Sequence, residues 1–290
     1  MPNTRAGLII MGSWLQEEVC RTQSLMVFVE PEGASELCVR VAASLADKFG
    51  ATLIGISACI IPPPVLDSMV IIQTAADIEL VKEKLRKQGE WFRSIADGDR
   101  RKLEWRSALE TPNEVIVREA CSADLVVIEQ TKGFRSTYSS LDLGAVILNM
   151  GRPVLVVPEG VTSLAAEHVV IGWKDTREAR RAVRDALPFL REATRVTIFE
   201  ACGPEEDKTA LARLDDVARY LAMHRIKSGP MVMVHKEGSG ASQLLQVAKD
   251  ERADLLVTGA YGHSRLGEWV FGGMTWELLA KSPICCLMSH

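Results

Sequence analysis

Two short passages of this chain occur twice. Ser122-Ala123-Asp124-Leu125-Val126-Val127 is matched by Arg252-Ala253-Asp254-Leu255-Leu256-Val257, and Gly151-Arg152-Pro153-Val154-Leu155-Val156 by Lys281-Ser282-Pro283-Ile284-Cys285-Cys286. Both pairs lie about 130 residues apart, too long a period for a solenoid unit and suited to a duplicated domain. A chain of 290 residues can bury two separate cores of ordinary size. The organisation expected is an extension at 1–22, a first domain at 23–158, a linker at 159–167 with Pro, Gly and Ser around it, and a second domain at 168–290.

The pattern inside each copy fixes the fold class. Short apolar runs at Leu25–Val29, Ala51–Ala58, Leu103–Ala108, Leu125–Ile128 and Val154–Val157 read as strands. Between them lie helical stretches at Ser35–Phe49, Thr74–Ile95, Pro112–Cys121 and Leu141–Met150, the first stopped by Gly50. The second copy repeats this with strands at His168–Trp173, Arg195–Glu200, Met231–His235, Ala253–Thr258 and Ile284–Met288. Its helices are expected at Thr176–Leu190, Glu205–His224, Ala241–Asp250 and Met274–Lys281. Strand alternating with helix predicts an α/β fold: two tandem open-sheet, Rossmann-like domains, each a five-stranded parallel sheet with helices on both faces.

The stretch from Ala253 to Leu287 carries the chemistry. A buried strand runs into Gly259 and Gly262, then Gly272 and Gly273 precede a helix. Glycines there admit positive φ and close approach of a ligand to the backbone. The opening of the helix at Gly273, Met274 and Thr275 aims free N–H groups at whatever fills the loop, and an anion such as phosphate suits it. Gly259, two residues, Gly262, nine residues, Gly272 resembles the nucleotide-binding signature of the universal stress protein (UspA-type) family, in its tandem two-domain form. Gly273 stands where that signature has Ser or Thr, while Thr275 supplies a hydroxyl two residues on.

The resemblance implies a pseudo-twofold fold in which Val154–Val157 pairs with Ile284–Met288, an intramolecular pseudo-dimer left open to further homodimerisation. It also implies that the C-terminal half binds an adenine nucleotide, ATP with Mg, as a stress-response binding protein. In open parallel sheets ligands bind beyond the carboxyl ends of the strands, where strand order reverses. That gathers Gly172, Trp173 and Lys174 after one strand, Phe199, Glu200 and Ala201 at the end of the next, and the glycine loop with His263, Ser264 and Arg265. Family members carry an Asp that holds the nucleoside at the position of Lys174. A cation there accepts no hydrogen bond but can reach a phosphate. Arg265 can pair bidentately with phosphate or stand as an exposed loop arginine. In the first half Glu129 replaces Gly259 and Lys132 replaces Gly262, so that half is expected to be structural and not to bind a triphosphate.

Other classes find less support. The net charge of −4 argues against a nucleic-acid footprint, and no apolar run reaches the roughly 18 residues of a membrane helix. Leu8–Leu15 is followed by Glu17 and Glu18 without a small-residue cleavage pattern, so no signal peptide is expected. Seven cysteines without CxxC spacing read as buried thiols in a reducing compartment, the cytoplasm. The histidines show no metal spacing. Without a G-x-S-x-G elbow, a Walker motif or paired carboxylates, no catalytic residue is expected. An adenylating enzyme would need a Gly- and Ser-rich loop after the first strand, which neither Glu30-Pro31-Glu32-Gly33 nor Lys174-Asp175-Thr176 provides. The alternative from another class is a scaffold or partner-binding module in which the glycine loop is only structural.

Overall fold

The computed structural model describes residues 22–31, 36–61, 65–66, 69–70, 74–98, 101–130, 138–203, 206–234, 239–262 and 273–290. The first half contributes strands β1 (Ser24–Phe28), β2 (Thr52–Ala58), β3 (Leu103–Ala108), β4 (Leu125–Glu129) and β5 (Val154–Val157). The second contributes β6 (His168–Gly172), β7 (Arg195–Cys202), β8 (Gly229–Val234), β9 (Leu255–Gly259) and β10 (Cys285–Ser289). Helices α1 (Glu36–Phe49), α2 (Ala75–Ala96), α3 (Pro112–Glu119) and α4 (Leu143–Met150) connect the first set, and α5 (Arg177–Asp185), α6 (Asp207–Met223), α7 (Gly240–Asp250) and α8 (Gly273–Lys281) the second.

These ten strands form one sheet in the order β8-β7-β6-β9-β10-β5-β4-β1-β2-β3, and a separate short antiparallel pair joins Val65–Leu66 to Met69–Val70. Each half is parallel and places its own strands in the same sequence, third, second, first, fourth, fifth. The halves meet where β10 pairs antiparallel with β5, Leu287 opposite Leu155 and Met288 opposite Val154. Equivalent strands meeting head to tail define the pseudo-twofold, and this is the seam that the resemblance implied.

Alternation along the buried strands splits the core into two layers. Leu25, Val27, Leu155, Ile171, Val257 and Leu287 lie on one face, and Met26, Val126, Val156, Val170, Leu256 and Met288 on the other. Cys285 and Cys286 accordingly point to opposite faces. Each layer crosses the seam, so neither half has a core wholly its own. The expected helix over Thr176–Leu190 ends earlier: α5 stops at Asp185 and a separate turn, Leu187–Leu190, follows. Pro188 is the reason, since it has no N–H to continue the ladder. Between the halves, Leu164 and Ala166 are buried rather than loose, and Lys48 Nζ donates to Ala165 O at 2.8 Å.

Candidate functional site

Strand order reverses between β6 and β9, and the chain ends of β6, β7 and β9 there surround a cleft of about 740 Å³. Openings of this size accept small molecules, whose sites span roughly 300–1,000 Å³. Of the residues singled out from sequence, Gly172, Trp173, Lys174, Glu200, Gly259, Gly262, Gly273, Met274 and Thr275 all line it. Ser264, Arg265 and Gly272, with His263, lie outside the described residues.

The walls are built by local geometry. Trp173 N–H donates to Phe199 O at 2.7 Å, which carries the chain from β6 across the end of β7. Thr176 then caps α5, its side chain accepting from Ala179 N at 3.3 Å. At Gly259 an added Cβ would sit 2.5 Å from Ala179 N and 2.7 Å from the Glu178 carbonyl carbon. Helix α5 therefore presses its first turn directly on the end of β9, which only glycine permits. A Cβ at Gly262 would lie 3.1 Å from both Glu178 Oε2 and Thr176 Oγ1. Tyr261, between them in chain order, is left-handed at φ 59 and donates its N–H to Thr275 Oγ1 at 3.2 Å. Ala260 N–H donates to Ser289 O at 2.9 Å.

The opening of α8 differs. A Cβ at Gly273 would meet no described residue within 4 Å. The first N–H groups of a helix have no intrahelical acceptor and carry the positive end of its dipole. Here they belong to residues that line the cleft.

Charge in the cleft is mixed. Glu200, with a side chain 6% exposed, is gripped by Arg213 from α6, Nε lying 3.1 and 3.3 Å from its two oxygens. Asp175 pairs with Arg180. Lys174 forms no ion pair among the described residues, so its ammonium remains available to an anion. Beneath Gly262, burial works to raise the Glu178 carboxyl, but Arg177, its own amide and Thr176 more than offset it and hold it below the usual carboxylate range. The Tyr261 phenol is pushed up to about 12, by burial first and then by Asp142. It therefore stays protonated and neutral at physiological pH.

Sequence reasoning missed Arg213, Asp175, Thr176 and Tyr261, all of which line the cleft. Thr176 could have been found as a cap before a helical run. Arg213 carries no such signal, because only the docking of α6 brings it to Glu200.

The equivalent crevice of the first half is chemically unlike this one. Glu30 stands two residues beyond β1, as Lys174 stands beyond β6, and Gln130 follows β4 as Ala260 follows β9. Both side chains are buried. Ser140 donates to Glu30, and Gln130 Nε2 donates across the seam to Leu279 O at 2.7 Å. Among the described residues no group of three His, Cys, Asp or Glu side chains could hold a metal ion, and no helix is long and apolar enough to cross a membrane.

Residues 165–290 match the universal stress protein family. A universal stress protein of Synechocystis sp. is 24% identical over 168 residues, an alignment that spans 55% of each protein. The chain thus spans about half the length of that relative. Among solved structures, a universal stress protein from Archaeoglobus fulgidus superposes with a TM-score of 0.69 at 12% identity, covering 92% of this chain and 97% of its own. A Pseudomonas aeruginosa protein of unknown function gives 0.58 at 13%, covering 92% of each. At such identities these two likenesses speak for the fold alone.

Proposed function

We propose that residues 165–290, which match the universal stress protein family, bind an adenine nucleotide in the cleft at the β6–β9 switch point, with ATP as the expected form. The observation that carries this is the start of α8, where Gly273, Met274 and Thr275 line a cleft of about 740 Å³ and a Cβ at Gly273 would meet no described residue within 4 Å. Lys174 adds a cation to receive phosphate, and the apolar surfaces of Trp173 and Phe199 offer an adenine ring a dry wall. The protein then acts as a nucleotide-responsive binding protein of the stress response. Hydrolysis, where it occurs, is slow and incidental, because no described residue of the cleft is arranged as a catalytic base.

The test is titration with a fluorescent ATP analogue, with Mg present. Saturable binding is expected, together with a loss of roughly tenfold or more in Gly273→Val, whose side chain enters open space and blocks the anion. Wild-type protein that shows no saturation up to millimolar analogue would defeat the proposal. A second reading, in which the loop is purely structural, is favoured by two observations. Gly259 is already required by the packing of α5, and the Thr275 hydroxyl already accepts from Tyr261. Thermal unfolding separates the two, because a ligand that binds only the folded state must raise the midpoint.

A further inference from the structure

Among the described residues the ten-stranded sheet ends in two unpaired edges, β3 and β8, and the chain treats them differently. On β3, Glu104 and Arg106 face one another at 2.9 Å, and Arg106 also reaches Glu119 at 2.8 Å. Charges of this kind blunt an edge against further pairing. At the opposite end β8 reads Gly-Pro-Met-Val-Met-Val and bears no charge at all. Pro230 protects only its beginning. Among the described residues β8 pairs with β7 alone.

The approach to β8 is cationic. A groove of about 730 Å³ runs along the last turns of α6 and the residues leading into the strand, lined by Asp215, Arg219, Arg225, Ile226, Lys227 and Ser228. Arg219 is paired with Asp216, but Arg225 and Lys227 are exposed and make no ion pair among the described residues. Asp215 is the one carboxylate lining the groove among the described residues. The Ser228 hydroxyl is buried in it without a hydrogen-bond partner among the described residues. Arg225 has φ 64, the left-handed position after a helix where glycine is least strained.

We propose that the free edge of β8 is a docking site for an extended acidic segment of a partner protein, which adds to the sheet as a further strand and seats a carboxylate between Arg225, Lys227 and Ser228. Strand addition supplies main-chain hydrogen bonds, and alternate side chains and charge supply selectivity. A second copy of this chain fits less well, since among its described residues β8 brings no carboxylate to face the two cations.

The test uses the full chain and three short peptides: alternating glutamate and valine, alternating lysine and valine, and the glutamate peptide N-methylated at alternate residues. N-methylation blocks strand pairing while leaving charge intact. Saturable binding of the first peptide is expected, weakened roughly tenfold or more by N-methylation, and likewise by the Arg225→Glu/Lys227→Glu protein. Thermal unfolding confirms that this exposed double variant folds. Equal binding of the lysine or N-methylated peptide would overturn the assignment, as would failure of the glutamate peptide to bind. A dimer in sedimentation that the Arg225→Glu/Lys227→Glu variant or the glutamate peptide fails to perturb, with no peptide bound, would overturn it as well.

Discussion

Gly259 shows how one residue can serve a loop's shape and a helix's position together. A methyl group there would lie 2.5 Å from Ala179 N, against helix backbone that cannot step aside. Gly259→Ala should therefore cost about 1–3 kcal/mol, the usual penalty for overpacking, and the loss should be the same with or without ATP. Gly273→Ala meets no neighbour among the described residues and should leave stability nearly unchanged. Urea unfolding of the two variants checks this, and equal losses would show that the close approach of α5 to β9 has been misread. Spacing made the glycines legible as a loop, but it could not say which of them faces a ligand and which faces a helix. Residues such as Arg213 were not legible, because the partner that gives it meaning, Glu200, is held in place by a different element.

Helix α5 ties the cleft to the seam. Its start underlies Gly259 and Gly262, and at its end Asp185 accepts a hydrogen bond from Ser289 Oγ on β10 at 2.8 Å. Burial pushes the Asp185 carboxyl above its ordinary range, the Ser289 hydrogen bond and nearby arginines only partly offsetting it. A carboxyl raised in the folded state binds more protons there than in the unfolded chain. Stability from this group is thus greatest at low pH and is lost as pH rises from about 4, the unfolded value, through the raised folded value. Asp185→Asn keeps an acceptor for Ser289 and removes the proton. Its stability relative to wild type should improve progressively from pH 4 towards neutrality in urea titrations, and parallel curves would contradict the assignment. Most elements were legible from periodicity, since apolar runs and caps such as Thr176 are local signals. The break after α5 was not, because the sequence around Pro188 keeps a helical apolar pattern while losing a donor.

Across the whole molecule the two copies share one sheet and two core layers. Leu155 and Leu287 pack in one layer, Val156 and Met288 in the other. Outside the sheet, Phe49 meets Phe189 edge-on at 5.2 Å, and Lys48 pairs with Glu192 at 3.0 Å. A chain joined this way should unfold in one cooperative step, with calorimetric and van't Hoff enthalpies in agreement. Two resolved transitions would mean that the seam is weaker than its continuous core implies. The amino-acid sequence by itself determined the duplication, the strand-helix alternation and the position of the glycine loop, because each is written in neighbouring residues or in a repeat. Only the tertiary structure decided that Gly259 belongs to helix packing, that Arg213 closes on Glu200, and that β8 rather than β3 presents a bare edge. Those facts depend on which distant segments the fold brings within a few ångströms, and no local pattern encodes that distance.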